Sequence, residues 1–273
     1  MKKKIKISLL MVMSILVLGA CKSRYQTVRE STDYEYKFKV AKEYYEQGDY
    51  ARSSELFKDV LNAYRGTSKM EDVYYYYAYS CFNRKMYTTA NQYFRMLFVQ
   101  NPQSKYAEES MYLAGYSLYE LSPSVRLEQS ISQECVDAME LFINAYPESR
   151  KVNDARNVIA EMQDKLVDKS YLSAELYYDM ERYKASVIAI KNSLKEYPNT
   201  KYREKMLYML VKAAYLYADN SVYEQQGKRM SMAMDEYYSF VDEFPNSHYR
   251  KELDKYEAQM EKWVHVDESE LDD

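Results

Sequence analysis

Residues that could act as nucleophiles or metal ligands are few in this 273-residue chain, which contains three cysteines and two histidines. The histidines, His248 and His265, do not form a Cys/His spacing of the kind that binds zinc. With five glycines, the chain also has no glycine-rich phosphate loop and no nucleophile elbow. Carboxylates are plentiful, but their pattern is that of solvated helix faces. The sequence therefore predicts a protein that is not an enzyme and holds no metal or dissociable cofactor.

Covalent chemistry is expected at one residue, Cys21. Four lysines precede an apolar run at residues 7–18, and small residues follow it, which is the pattern of a secretory signal peptide. The run is too short for a membrane-spanning helix of ~20 residues. Residues 18–21, Leu-Gly-Ala-Cys, resemble the bacterial lipobox, which implies removal of residues 1–20 and lipidation of Cys21 on its thiol and new amino group. The alternative is an uncleaved N-terminal anchor.

The segment after the signal peptide is predicted to be a tether. Residues 21–33 are polar and lack helical periodicity, so they could extend up to ~40 Å from the lipid. Lys22 and Ser23 are compatible with delivery to the outer membrane, with the folded part facing the periplasm. The formal net charge of −4 falls to −8 once the four lysines of the signal peptide are removed. This acidity argues against binding to nucleic acid.

A repeat of about 37 residues organises the first half of the chain. Aromatic, small and aromatic residues recur in the same order: Phe38, Ala41 and Tyr45, then Tyr75, Ala78 and Phe82, then Tyr112, Gly115 and Tyr119. Within each set the residues lie at positions i, i+3 and i+7, which is one face of an α-helix. A second apolar helical pattern follows each set, so each unit is predicted to be a pair of helices.

Prolines mark the ends of the units along the whole chain. Pro102, Pro147, Pro198 and Pro245 each follow the second helix of a unit, where proline stops a helix. A serine or threonine two residues later can cap the next helix. The sequence therefore predicts an all-α fold, an α-solenoid of about five helix pairs.

The repeat units also predict the boundaries within the chain. Repeats 1–3 are expected at residues 34–147 and repeats 4–5 at residues 148–265, with an acidic tail at 266–273. Residues 122–133 are predicted to be an inserted loop, and residues 149–180 to be one long or broken helix.

Two further cysteines, Cys81 and Cys135, each lie within a helical apolar pattern. Aromatic residues or methionines stand close to both of them in the sequence. Both are predicted to be small buried hydrophobic residues. The alternative is a disulfide bond between them.

The helix pairs resemble the tetratricopeptide repeat over about residues 34–264, although the units are longer and the usual tryptophan is absent. The resemblance implies that the first helix of each pair lines a concave groove. Candidate peptide-binding residues then form three matched rows: Phe38, Tyr75 and Tyr112; Lys42, Tyr79 and Tyr116; Tyr45, Phe82 and Tyr119. Tyrosine suits this role because it offers a rigid apolar ring and a hydroxyl. The alternative is that several of these rings are core between helices.

The lipobox, the repeats and the junctions Tyr146-Pro147, Tyr197-Pro198 and Phe244-Pro245 together resemble the BamD family of outer-membrane β-barrel assembly lipoproteins. Residues 166–200 resemble the fourth unit of that family. The resemblance implies a periplasm-facing scaffold without enzymatic activity. Its first three units would bind unfolded barrel clients, and its last two would hold the large barrel subunit through that subunit's periplasmic domains.

Other functions remain open from the sequence. One is a tetratricopeptide lipoprotein adaptor in cell-wall or envelope-constriction complexes, although no heptad run occurs between residues 22 and 33. Another is a glycan-binding surface lipoprotein, although the chain has a single tryptophan, Trp263. A third is an adaptor whose partner the sequence does not indicate.

Overall fold

The computed structural model describes the backbone of residues 23–269 and the side chains of residues 23–263. The predicted signal peptide and Cys21 lie outside the described residues. Within the described part the chain forms twelve α-helices and no β-strand. In chain order they are α1 Arg24–Glu30, α2 Tyr34–Glu46, α3 Tyr50–Val60, α4 Met70–Asn83, α5 Tyr87–Gln100, α6 Ala107–Leu121, α7 Ser130–Ala145, α8 Val152–Asp179, α9 Tyr183–Glu196, α10 Arg203–Asp219, α11 Tyr223–Glu243 and α12 Arg250–Ser269.

Helices α2 to α11 form five consecutive pairs, which confirms the predicted all-α repeat fold. Pairs 2 to 5 are each followed by a turn at the expected proline, the first pair is followed by residues 61–69, which contain no proline, and α12 follows the fifth pair. The segment predicted as one long or broken helix is the single helix α8. Helix α12 continues to Ser269, so the first residues of the predicted acidic tail are helical. The rest of that tail lies outside the described residues.

Left-handed backbone conformations close the turn between the two helices of three pairs. Gly48, Lys85 and Glu181 have φ of 76°, 60° and 57° and stand at the same place in pairs 1, 2 and 4. In the first pair the N–H of Gly48 donates to Tyr45 O at 2.9 Å and the N–H of Asp49 to Tyr44 O at 2.8 Å, which is a Schellman motif. Lysine and glutamate adopt this conformation at a cost of about 1–2 kcal/mol each.

The described chain divides into two compact units. Unit 1 comprises residues 23–122 and 134–159, and its core contains fully buried phenylalanines such as Phe57, Phe94 and Phe142. Unit 2 comprises residues 123–133 and 160–269, and its core is rich in methionine, tyrosine and leucine. The boundary between the two units lies inside α8 and not at residue 147, where the sequence placed the end of repeat 3. The different functions assigned to repeats 1–3 and repeats 4–5 stay a prediction.

Small residues let the paired helices of unit 1 approach closely. A Cβ added at Gly115 on α6 would lie 3.2 Å from the Sδ and Cε atoms of Met139 on α7. At the same crossing the Cys135 thiol donates to Gly115 O at 3.6 Å. Cys81 and Cys135 are both buried and form no disulfide, so the prediction of two buried thiols is confirmed and the disulfide alternative is wrong.

The inserted loop packs back on α8 within unit 2. The loop ends at Gln129, because α7 begins at Ser130. The buried side-chain amide of Gln129 donates to Ser124 O at 2.8 Å and to Leu127 O at 3.0 Å, which closes the loop. The Lys169 ammonium on α8 donates to the carbonyl of Arg126 at 2.9 Å and fixes the loop to the helix.

The prediction of an extended tether at residues 21–33 is wrong from Arg24 onward. Helix α1 forms there, and Val28 on it is completely buried. Ser23 caps α1 by accepting a hydrogen bond from the Gln26 N–H at 3.2 Å. A helix of two turns shows too little periodicity to be recognised in the sequence. Among the described residues, no helix combines the length and apolar character needed to cross a bilayer.

Candidate functional site

The predicted rows lie on the first helices of the pairs in unit 1, and their rings meet between neighbouring pairs. The ring centres of Tyr45 on α2 and Tyr79 on α4 are 5.5 Å apart, and those of Phe82 on α4 and Tyr116 on α6 are 6.1 Å apart. Tyr116 also contacts Tyr119 at 5.2 Å. All five rings are half-buried. We call these five residues the aromatic strip.

Two of the predicted residues are core instead. Tyr75 is 8% exposed, and its ring stacks on Tyr106 at 4.0 Å while its hydroxyl donates to the Glu109 carboxylate at 2.8 Å. Tyr112 is 6% exposed, and its ring meets Phe142 edge-on at 5.5 Å. The burial of these two rings favours the alternative that they form part of the core between helices.

The remaining predicted residues stand at the first pair. Phe38 is half-buried and makes edge-on contacts with Phe57 at 5.7 Å and Tyr64 at 5.6 Å. The Lys42 ammonium lies 5.5 Å from the ring centre of Tyr76 and 3.9 Å from the Glu46 carboxylate. Lys42 therefore places a positive charge beside the rings, at the first pair.

Burial raises the pKa of two tyrosines of the strip, Tyr45 and Tyr79, above the ordinary value for a phenol. The neighbouring Tyr112 is affected in the same way, and its pKa rises to about 12. At neutral pH the strip is uncharged and offers apolar ring surface with hydroxyls at its edge. Such a surface suits an apolar or aromatic peptide.

A recurring contact covers one row position in all five pairs. The covering residue comes from the turn after the pair and lies on the ring by stacking or by a cation–π contact. The contacts, measured to ring centres, are Lys69 over Phe38 at 5.8 Å, Tyr106 on Tyr75 at 4.0 Å, Lys151 over Tyr112 at 5.0 Å, Tyr202 on Tyr171 at 4.1 Å and Tyr249 on Tyr208 at 4.0 Å. In pairs 2 to 5 the covering residue stands four positions after the proline, which is a sequence signal that could have been found.

Unit 2 continues the rows but changes their chemistry. Tyr171 and Tyr208 are covered by a tyrosine of the following turn as Tyr75 is, a continuation that the sequence reasoning missed. The middle position is charged in this unit, because it holds Glu175 on α8 and Lys212 on α10. The Lys205 ammonium lies 3.0 Å from the Glu175 carboxylate, and the Lys212 ammonium lies 2.8 Å from the Glu252 carboxylate. These first helices therefore present paired charges where α4 and α6 of unit 1 present rings, whereas α2 carries Lys42 at this position.

A second apolar surface of unit 2 lies at the turn between α8 and α9. Met180 is 56% exposed and Ile188 is 52% exposed. An open cavity of about 390 Å³ lies beside them, lined by Glu181, Arg182, Tyr183, Lys184, Ala185, Ile188, Tyr217 and Asn220. We call this region the turn cavity. Among the described residues, no group of histidine, cysteine or carboxylate side chains is arranged to hold a metal ion.

Comparison with known proteins identifies the family. Residues 31–227, more than half of the chain, match the family model YfiO, which is described as an outer membrane lipoprotein. The chain belongs to the YfiO family. The matched residues include α2 to α10, and therefore the whole aromatic strip.

One relative of this YfiO-family chain comes from Aquifex aeolicus (strain VF5) and is named as a candidate outer membrane protein assembly factor BamD. The two sequences are 23% identical over 204 residues, which cover 74% of this chain and 66% of the relative. The chain thus spans slightly less than two thirds of the relative's length. The resemblance to the BamD family predicted from the sequence is confirmed.

Proposed function

We propose that this protein is a non-enzymatic scaffold for the assembly and insertion of outer-membrane β-barrel proteins. The family match over residues 31–227 carries the proposal, because it joins the chain to outer membrane lipoproteins and to a relative named for assembly. In this proposal lipid on Cys21 anchors the protein in the outer membrane, and both units face the periplasm. The scaffold needs no nucleotide or metal, since the folding of the client supplies the free energy.

The aromatic strip is the proposed contact for an unfolded barrel client. A β-barrel strand carries apolar residues on alternate positions, so an extended segment presents a row of apolar side chains to such a surface. The half-buried rings are already held by their neighbours, and they lose little conformational entropy when a client binds. Lys42 would attract an acidic residue or a terminal carboxylate of the client.

Unit 2 is the proposed docking site for the large barrel subunit, through that subunit's periplasmic domains. The turn cavity supports this assignment, because exposed apolar side chains such as Met180 and Ile188 gain free energy when a partner covers them. The paired charges of its first helices would remain at the polar rim of that contact.

A pull-down from native envelopes tests the proposal. Full-length protein with a C-terminal tag is extracted in mild detergent, and the bound proteins are identified by mass spectrometry. We expect a large outer-membrane barrel with repeated periplasmic domains, in nearly equal amount. Recovery of cell-wall or division proteins without such a barrel would refute the proposal and favour an adaptor in those complexes.

Client binding is tested separately with a labelled peptide that copies the last strand of an outer-membrane barrel. The double variant Tyr79→Ala with Tyr116→Ala should bind at least about tenfold more weakly, since removing central aromatic contacts typically costs more than 1 kcal/mol. Tyr238→Ala is the matched control, because Tyr238 is 52% exposed on α11 of unit 2. Equal loss in both variants would argue against the strip as the client site.

A further inference from the structure

Helix α1 lies almost directly after the proposed lipid attachment residue. Ser23 is the N-cap of α1, and only Lys22 separates it from Cys21. Two chain steps span at most ~7 Å between the Cα atoms of Cys21 and Ser23. The seven residues of α1 add about 10 Å, because an α-helix rises 1.5 Å per residue. The connection from lipid to α1 is therefore short.

Helix α1 is docked on α2 by apolar and ionic contacts. Val28 is completely buried, and the Tyr25 ring meets the Tyr44 ring edge-on at 6.0 Å. The Arg24 guanidinium lies 2.5 Å from the Glu43 carboxylate. These contacts lie on successive turns of α1, so both turns of the helix are attached.

Helix α3 adds a further contact to the same cluster. The Arg52 guanidinium lies 5.7 Å from the ring centre of Tyr25 and 5.6 Å from that of Tyr44, and it donates to Asp49 at 2.9 Å. The link from α1 to α2 is also ordered, because the Asp33 N–H donates to the Ser31 hydroxyl at 3.0 Å. Helix α1 is thus held by both helices of the first pair.

We propose that α1 is a short spacer that holds the first helix pair of unit 1 against the lipid surface. The proposal rests on the proposed lipidation of Cys21 and goes beyond it, because lipidation alone leaves the distance to the membrane open. An undocked segment 21–33 would let α2 stand up to ~40 Å away. With α1 docked, Arg24 contacts Glu43 near the C-terminal end of α2, and three chain steps of at most ~11 Å join Arg24 to Cys21. The end of the aromatic strip on α2 is then kept near the bilayer that a client strand must enter.

Energy transfer to the membrane measures this distance. The acylated full-length protein is bound to phospholipid vesicles that carry acceptor dyes on their headgroups, with a donor dye on Lys39→Cys. Lys39 is exposed on α2, and the native thiols of Cys81 and Cys135 are buried. A variant with twelve Gly/Ser residues inserted between Lys22 and Ser23 gives the signal of a long tether of roughly 40 Å reach.

Two substitutions on α1 form a matched pair. Val28→Asp places a carboxylate in the buried contact and should release α1, whereas Thr27→Asp places the same group on the exposed face of the same helix. We expect Val28→Asp to lower the transfer to the level of the linker variant, and Thr27→Asp to keep the wild-type level. Circular dichroism and the unfolding midpoint check that unit 1 remains folded in both.

Three results would overturn the proposal. If Val28→Asp, with unit 1 folded, transfers as strongly as Thr27→Asp, docking of α1 does not set the distance. If the linker variant also transfers as strongly as the wild type, other contacts hold unit 1 at the membrane. If mass spectrometry of the membrane-extracted protein finds no lipid on Cys21, the lipidation itself is refuted, and this result differs from the first two.

Discussion

Tyr75 and Tyr79 lie one turn apart on α4, and the structure predicts different consequences when each is replaced by alanine. Tyr75 is almost fully buried, stacks on Tyr106 at 4.0 Å and bonds Glu109 through its hydroxyl. Tyr75→Ala should therefore reduce the free energy of unfolding by about 3–5 kcal/mol, the usual cost of removing a buried aromatic ring. Tyr79 is only half-buried, so Tyr79→Ala should cost about 1 kcal/mol.

Tyr75→Phe separates the hydroxyl from the ring. The phenylalanine keeps the stack on Tyr106 and loses the 2.8 Å bond to Glu109. Because Glu109 is exposed, water can solvate its carboxylate, and the loss should be near 1 kcal/mol. Urea unfolding followed by circular dichroism measures all three variants.

Client affinity, measured on the same variants with the labelled strand peptide, should follow the opposite order. Tyr79→Ala should weaken binding while Tyr75→Phe leaves it unchanged. The reasoning would be refuted if Tyr75→Ala unfolded at the wild-type urea concentration and bound the peptide more weakly than Tyr79→Ala. Tyr75 would then be a contact residue rather than core.

Three further predictions concern other parts of unit 1. Cys81 should not react with a thiol reagent at pH 8 until urea unfolds the protein, because burial raises the pKa of its thiol to about 11. Rapid reaction of Cys81 in the folded protein would contradict this prediction. The free energy of unfolding should fall between pH 10 and 12, because burial raises the pKa of Tyr64 and of Tyr112 to about 12 and the same tyrosines ionise at lower pH in the unfolded chain. A urea midpoint that stays constant over this range would contradict this prediction. Gly115→Ala should leave the thermal unfolding midpoint nearly unchanged, because the flexible end of Met139 can move and alanine favours the helix. Gly115→Leu should reduce the free energy of unfolding by about 1–3 kcal/mol. Equal midpoints for the two variants would contradict the close crossing of α6 and α7.

The helix pairs could be predicted because their signals are local and repeated. Each proline site ends a helix regardless of how the pairs pack, so four prolines located the units. Small residues such as Gly115 marked the close crossings for the same reason. Cys81 and Cys135 were placed correctly because their helical patterns were apolar on the buried face.

Other features depended on contacts between elements and could not be read from local patterns. Helix α1 is stabilised by α2 and α3, and one buried valine in two turns gives no periodicity. Lys85 and Glu181 adopt left-handed conformations without glycine, and their N–H groups donate to Phe82 O and Tyr178 O, each at 2.9 Å. The burial of row residues such as Tyr75 also depends on covering residues such as Tyr106, which lies in the turn after the pair.

The high tyrosine content follows from the geometry of these junctions. A ring packed between helices is buried on its faces, while its hydroxyl can reach the edge of the contact, where a carboxylate of another helix can accept a hydrogen bond. Such bonds of 2.7–3.0 Å recur at Tyr64–Glu35, Tyr75–Glu109, Tyr106–Asp72, Tyr202–Asp168, Tyr208–Glu252 and Tyr237–Asp254. Phenylalanine would fill the same space without this bond. These six of the 33 tyrosines therefore serve the fold, whereas the half-buried rings of the aromatic strip are those proposed to contact a client.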